Sequence, residues 1–383
     1  MKVDPYKYKE RYLAWRERIK DRIPEMNKEN SDVSLAYLDD MHIGANIAQK
    51  SVKGARSYSR LDGLRDKLNF YSRQFTRRYG LKCITEVTEN QIILFFSDMR
   101  KGIIKRPDGK PYMGIDNFVR DFKSFWHWWI KVNRKKGNTI PDITQDLDTR
   151  REKPDWVYLT EEEIKKLAEN ANYKYRVLIM FLFDSGIRAP TELMNVKVSD
   201  LYNDCKELNI RQEGAKTFGR RIKLMLCSEM VKNYIKWAKL QPEQYLFKFS
   251  PRVVNRQLKR MAKKLFEDKP SPAGESYWQI TMYDFRHNSC CYWLPRYKSE
   301  SALKYRFGWK KSDKIHYYSE LLGMKDTIVE EDLLIDTTKT EIEKKLASTE
   351  REKDLMEEKM RSMELQMEKV MELMKQVEVL RKV

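Results

Sequence analysis

Long apolar runs are missing from this chain of 383 residues. None approaches the roughly 20 consecutive apolar residues that a membrane-spanning helix needs. The amino terminus, Met1-Lys2-Val3-Asp4-Pro5, has no apolar core of the kind a secretory signal carries. Histidine is scarce: His42, His127, His287 and His316 are the whole set, none at a metal-ligand spacing, which argues against a zinc site. The five cysteines (Cys83, Cys205, Cys227, Cys290, Cys291) are odd in number and contain no Cys-x-x-Cys pair. They read as free thiols in a reducing compartment. These absences lead us to expect a soluble protein of the cytoplasm, with no membrane partner.

Positive charge is what the chain has in excess. The formal net charge is +19, and charged residues make up 35% of the sequence. A polyanionic partner is favoured, nucleic acid before an anionic membrane surface, because each phosphate neutralised by Lys or Arg releases condensed counterions. The excess is not uniform. Residues 338–383 hold 11 basic and 11 acidic residues, so the whole +19 falls in residues 1–337.

The periodicity divides the chain into five parts. Residues 1–56 are polar with one helical pattern around Tyr6–Ile19 and read as an accessory arm. Residues 57–136 read as a helical bundle. Leu61, Leu64, Leu68, Tyr71 and Phe75 share a helical face ended by Gly80, and Thr88-x-x-Gln91 is a capping box. Asp108-Gly109-Lys110-Pro111 is a turn. Phe118, Phe122, Phe125, Trp129 and Val132 then form an aromatic stripe whose helical spacing favours core packing over base stacking, with Trp126 and Trp128 off it. Around the bundle lie Arg73, Arg77, Arg78, Arg100, Lys101, Lys105, Arg106 and Arg134-Lys135-Lys136, a one-sided basic surface suited to phosphate contact.

Residues 137–157 lack periodicity and read as a linker. A second domain, residues 158–336, opens on the capping box Thr160-x-x-Glu163. It contains an apolar helix Tyr173–Phe183 and a hairpin signal, Glu207–Gln212 and Arg221–Leu226 around a Gly- and Lys-bearing turn. Residues 337–383 form a tail in which Leu346, Thr349, Lys353, Met356, Met360, Met363, Met367, Val370, Met374, Val377 and Arg381 alternate spacings of three and four. That is a heptad seam, so a coiled coil for self-association or a protein partner is expected. Its methionines point to an adaptable contact. The fold class is mainly α with a small β-hairpin sheet.

Four segments of the second domain carry a possible chemistry: Asp184-Ser185-Gly186-Ile187-Arg188 before Glu192-Leu193; Lys216 in the hairpin turn; Tyr283-Asp284-Phe285-Arg286-His287; and Gly308-Trp309 with Tyr318 nine residues on. Phosphodiester transfer needs a nucleophile, cationic donors to the non-bridging oxygens and an acid for the leaving oxygen. Two arginines supply planar, permanently charged forks. A lysine in a hairpin can donate a proton, and a tyrosine can form a reversible covalent ester. Lys216 competes with Arg220, Arg221 and Lys223. His287 is equally well read as a satisfied core histidine. Tyr317 and Tyr318 are adjacent, and either could reach the phosphate.

In this order the segments resemble the tyrosine recombinase (lambda-type integrase) family over roughly residues 57–335. The likeness is greatest to archaeal integrases, on Asp284-Phe285-Arg286-His287 and Gly308-Trp309-Lys310-Lys311-Ser312. The resemblance implies a helical core-binding DNA domain followed by a catalytic domain, together clamping double-stranded DNA, and a homo-tetramer on that DNA. It implies that Arg188 and Arg286 hold the scissile phosphate and that Lys216 is the general acid. Tyr283 and Trp309 fill the slots of the two family histidines, and Tyr318 attacks phosphorus to give a 3′-phosphotyrosyl bond, with no cofactor and no metal. Glu192 stands four residues after Arg188 where the family has three, which puts its supporting role in doubt. Integration or excision of a mobile element is the leading expectation. The rivals are a Xer-type resolvase of chromosome dimers, an inactive DNA-binding protein of the same fold, and a type IB topoisomerase.

Overall fold

The computed structural model describes residues 3–45, 53–151, 155–297 and 299–322, together with Met356, Met360 and Met367. Twelve α-helices are present among them: α1 (Tyr8–Ile19), α2 (Lys28–Ile43), α3 (Tyr58–Tyr79), α4 (Glu89–Arg100), α5 (Ile115–Lys135), α6 (Glu161–Glu169), α7 (Tyr173–Ser185), α8 (Ser228–Trp237), α9 (Pro251–Phe266), α10 (Asp284–Trp293), α11 (Glu300–Phe307) and α12 (Asp313–Leu321). Three short strands, β1 (Leu201–Tyr202), β2 (Glu207–Ile210) and β3 (Arg220–Lys223), form one antiparallel sheet in that order. Leu208 pairs with Ile222 and Ile210 with Arg220. β2 and β3 fall where the hairpin is expected; β1, only two residues long, has no period to reveal it.

Two hydrophobic cores organise residues 3–322. The first is built on α1–α5. Leu61, Leu64, Leu68, Tyr71 and Phe75 of α3 are all buried, and α3 stops at Gly80, whose φ of +70° closes the helix in a left-handed cap. Thr88 and Gln91 make the reciprocal capping box that opens α4. On α5 the buried face is Val119, Phe122, Phe125, Trp126 and Trp128, while Phe118, Trp129 and Val132 are only half-buried. The two tryptophans off the expected stripe go inward because each indole N–H has an acceptor there. Trp126 donates to the Pro141 carbonyl at 3.0 Å and Trp128 to Asp40 Oδ2 at 2.8 Å.

The described residues of the expected arm, 3–45 and 53–56, do not stand apart from the bundle. Tyr12, Ile19, Ile23, Met26, Leu35 and Leu38 are buried in this same core. Nor is 137–157 an unattached linker: Ile143 and Leu147 pack into the first core, while Trp156 and Val157 are buried and the main chain of Trp156 joins that of Ala273 and Glu275. The amino-terminal segment reaches the second domain as well. Asn195 accepts the Val3 N–H at 2.7 Å and donates to the Val3 carbonyl at 3.0 Å.

The second core gathers Ile164 and Leu167 of α6, Val177–Phe183 of α7, Leu208, Ile210 and Ile222 of the sheet, and Val254, Leu258 and Phe285 of α9 and α10. α7 is apolar on all sides and accordingly buried on all sides, packed by α6 and α10. Residues 323–383 form a second unit. The expected coiled coil at 337–383 lies outside the described residues except for Met356, Met360 and Met367, which are helical and exposed.

Candidate active site

The site grows from two glycines. Gly186 ends α7 with φ +57°, and a Cβ there would lie 2.4 Å from the Phe307 ring and 2.8 Å from Ser289 Oγ. Gly308 ends α11 with φ +60°, and its Cβ would meet Arg220 Nη1, Thr217 Oγ1 and Arg188 Nη1 at 3.0–3.2 Å. Only glycine lets both turns come this close at that backbone angle. Their closeness brings main-chain carbonyls to the arginines. Arg286, on α10, donates to the Gly186 carbonyl at 2.6 Å and to the Phe307 carbonyl. Arg188 donates to the Gly308 carbonyl at 2.9 Å.

Glu192 is the acidic centre of the cluster. It is buried, and its Oε1 accepts from Arg188 Nη1 at 2.7 Å while its Oε2 accepts from Arg220 Nη2 at 2.9 Å and from the Arg188 main-chain N–H at 3.1 Å. The Lys216 main-chain N–H also points to Oε1, at 3.3 Å. The four-residue spacing that put Glu192 in doubt is therefore accommodated, across a turn that includes the cis Ala189–Pro190 bond. Burial alone would raise the Glu192 carboxyl, but Arg220 and Arg188 outweigh it and hold the group down at about 2.

Around this one carboxylate stand three guanidiniums. Arg220 is fully buried, and its Nε donates to the Arg306 carbonyl. Arg286 is 4% exposed and, among the described residues, has no carboxylate within ion-pair distance. Burial first, then repulsion from Arg188 and Arg220, pulls its guanidinium down to about 10, still charged at neutral pH. A buried cation that lacks a counter-ion is costly and strongly favours an anion beside it.

The candidates expected from sequence fall around that cluster unequally. Tyr318 is 4% exposed and lies parallel to Trp309, ring centroids 5.9 Å apart. Its hydroxyl is 2.5 Å from His287 Nδ1. Burial pushes its phenol well above the usual range, against a lowering by Arg286. Tyr317 takes a different partner, its oxygen accepting from Trp156 Nε1 at 2.8 Å. Trp309 packs its ring on Phe307 at 4.9 Å. Tyr283 is 48% exposed and meets His287 edge-on at 5.1 Å. Lys216 is exposed, with no ion pair among the described residues. Two of its three rivals are engaged elsewhere, Arg220 on Glu192 and Arg221 over the Tyr202 ring at 4.1 Å and toward Glu207, while Lys223 is exposed.

Three residues at the centre escaped a specific sequence assignment: His287, Trp156 and Arg220. Trp156 stacks on His287 at 4.7 Å, so one end of the apparent linker forms a wall of the site. Its apolar indole beside Val157 and Leu159 was the available signal. Among the described residues no cluster of His, Cys, Asp and Glu could hold a metal, and no helix is long and apolar enough to cross a membrane.

A second cationic feature lies on α9. Arg252, Arg256, Arg260 and Lys263 are exposed at spacings of four, four and three, beside Trp278, whose ring lies 5.8 Å from the ammoniums of Lys259 and Lys263. On the first domain the basic surface is smaller than its composition implies. Arg78 pairs with Asp98, Arg106 with Asp108, and Arg100 with Asp148. Arg73, Arg77, Lys101 and Lys105 are exposed.

Residues 157–323 match the phage integrase family. No protein of curated function matches the chain. Among solved structures, the Tn1549 transposon integrase in complex with circular intermediate DNA is similar at 14% identity and a TM-score of 0.52, covering 76% of this chain and 99% of that one. A lambda integrase dimer bound to a COC′ core site is similar at 13% identity and a TM-score of 0.53, with 78% and 79% covered. A lambda integrase tetramer bound to a Holliday junction gives 12%, 0.53, and 83% of each chain. At these identities the likeness is one of fold.

Proposed function

We propose that this chain, which carries a phage-integrase-family domain over residues 157–323, is a site-specific DNA recombinase that cuts and rejoins strands through a tyrosine ester. The observation that carries the reading is Arg286: a buried guanidinium with no carboxylate in ion-pair reach among the described residues, beside Arg188 and within one cluster of Tyr318. A phosphodiester is the anion such a cluster fits. Arg188 and Arg286 donate to its non-bridging oxygens and stabilise the charge that builds up at phosphorus.

Tyr318 attacks, its phenolic proton passing to His287 Nδ1 when that ring carries its own proton on Nε2. The bond from phosphorus to the 5′ oxygen breaks, and Lys216 protonates that oxygen. Tyr283 and the Trp309 indole N–H line the site as hydrogen-bond donors. The nucleophile is packed among Trp309, Trp156 and His287. No cofactor has a part in these steps.

The biological reading is integration or excision of a mobile element, with the motifs closest to archaeal integrases. A Xer-type role is the runner-up, and a catalytically inactive DNA-binding protein is weighed against by the assembled site. The protein acts on double-stranded DNA in the cytoplasm as a homo-tetramer, the two domains of residues 57–136 and 158–336 closing on the duplex. The exposed, helical Met356, Met360 and Met367 support a coiled-coil tail that joins copies. Deleting residues 338–383 is expected to leave cleavage intact and weaken assembly; unchanged sedimentation would count against that role.

A nicked suicide duplex, its site recovered by covalent selection from a random-sequence library, tests the chemistry. The covalent adduct should form with the wild type and with Tyr317→Phe and vanish with Tyr318→Phe. An adduct that persists in Tyr318→Phe overturns the nucleophile assignment.

A further inference from the structure

An exposed lysine on a hairpin turn is a poor acid unless something fixes the turn against the phosphate-binding arginines. The turn here is fixed in an unusual way. The two terminal nitrogens of Arg188 use two acceptors: Nη1 donates to Glu192 Oε1 at 2.7 Å and Nη2 to the Gly308 carbonyl at 2.9 Å. The same two oxygens receive the hairpin. Glu192 Oε1 faces the Lys216 main-chain N–H at 3.3 Å, and the Gly308 carbonyl accepts from Thr217 Oγ1 at 2.8 Å. One carboxylate oxygen and one carbonyl therefore register the arginine and the lysine turn against each other. Of the two hairpin anchors, the Thr217 hydroxyl is the shorter contact and the one a side-chain change can remove.

We propose that Thr217 is a positioning residue for leaving-group protonation, its hydroxyl on the Gly308 carbonyl holding Lys216 in register with Arg188. The inference rests on the recombinase reading above and on Lys216 as the acid. In the step concerned, the Tyr318 oxygen bonds to phosphorus and the bond from phosphorus to the 5′ oxygen breaks. A proton moves from the Lys216 ammonium to that oxygen, leaving a neutral amine and a 5′ hydroxyl. Thr217 touches none of the reacting atoms. Its loss should therefore slow only the step in which the lysine must be in place.

A substrate that needs no acid separates this role from a structural one. When the 5′-bridging oxygen of the suicide duplex is replaced by sulfur, the strand leaves as a thiolate and needs no proton from the enzyme. Thr217→Val, which keeps the shape and loses the hydroxyl, is expected to cleave the ordinary duplex roughly 10- to 100-fold more slowly and the sulfur duplex at the wild-type rate. Thr217→Ser should restore most of the lost rate on the ordinary duplex. Equal losses of Thr217→Val on both duplexes, or no loss on either, would overturn the proposal. Lys216→Ala run alongside keeps the two claims distinct. If sulfur rescues Lys216→Ala but not Thr217→Val, the acid assignment stands and the role of Thr217 falls. If sulfur fails to rescue Lys216→Ala, the acid assignment itself is wrong and the proposal falls with it.

Discussion

The two halves of residues 3–322 differ in the charge they bury: carboxylates alone in the first, carboxylates and guanidiniums together in the second. In the first, the fully or nearly buried charged side chains are carboxylates: Asp62, Asp116 and Asp121. Each is met by cations that reach in from the surface, as Arg60 and Lys67 do at Asp121 and Arg65 does at Asp62. In the second half three guanidiniums are buried as well, Arg220, Arg286 and Arg306. Arg306 is matched by Asp184 and Arg220 by Glu192, whereas Arg286 has, among the described residues, carbonyl partners and no carboxylate. A buried carboxylate under long basic side chains is a satisfied structural joint. A buried arginine without its anion is an unfinished one, and here the unfinished joint coincides with the residues that could perform chemistry.

The largest expected effect comes from removing the hub between those arginines. Glu192→Ala strands Arg220, which has no exposure to water, and should cost about 3–5 kcal/mol in denaturant unfolding together with all cleavage. If Glu192→Ala unfolds within 1 kcal/mol or so of the wild type, the buried-charge contrast between the halves loses its meaning. Acid provides a milder form of the same test. Glu192 is held at about 2 in the folded protein against an ordinary 4.5. Because the folded value is the lower one, its contribution is complete above pH 4.5 and is lost as the pH falls from 4.5 toward 2. The wild type should lose stability across that window more steeply than Glu192→Gln. Parallel curves would show that Glu192 is not held as described.

Two glycines sharpen the comparison. Gly63 lies inside α3, and a Cβ added there would meet nothing within 4 Å, so Gly63→Ala should stabilise the first domain by about 1 kcal/mol and leave cleavage unchanged. Gly308 has φ +60° and its Cβ would press on Thr217, Arg188 and Arg220 at once. Gly308→Ala should destabilise by about 1–3 kcal/mol and impair cleavage beyond what the stability loss explains. Thermal unfolding and single-turnover cleavage of both variants read the difference. Equal effects at the two positions would mean that the Gly308 turn is ordinary packing.

How much of this was legible in the sequence follows the same divide. The first domain is a repeat of helical period with caps, so α3, α4 and α5 could be read from Leu61, Thr88 and Phe122. The inward turn of Trp126 and Trp128, set by Pro141 and Asp40, and the packing of α1 and α2 into the same core needed three dimensions. The second domain was legible in its motifs and not in its wiring. Arg188, Lys216, Arg286 and Tyr318 have the order of a known family. By contrast, Glu192 joining Arg188 to Arg220, His287 at the Tyr318 hydroxyl and Trp156 stacked on His287 are contacts between residues 28, 31 and 131 positions apart, which no local period encodes. The packing of residues 3–45 is hard to read locally because α1 buries only Tyr12 and Ile19, and three of the seven buried residues of α2, Asn30, Ser31 and Ser34, are polar.

The smallest expected effect concerns which cations meet DNA. Counting basic residues treats Arg78 and Arg256 alike, but their surroundings differ. Arg78 is engaged with Asp98 on the neighbouring helix α4, so its charge is neutralised within the fold. Arg256 is exposed in the middle of the α9 stripe and makes no ion pair among the described residues. A phosphate contact releases about one counterion, and so its loss lowers the salt dependence of binding by a slope of about 1. Arg256→Ala should therefore weaken duplex binding at low salt and flatten the plot of log affinity against log salt by about that amount, with the cleavage rate at saturating DNA retained. Arg78→Ala should leave the slope where it was. Fluorescence anisotropy across a salt series measures both, and a slope that falls for Arg78→Ala and not for Arg256→Ala would move the DNA-contacting surface from α9 to the first domain.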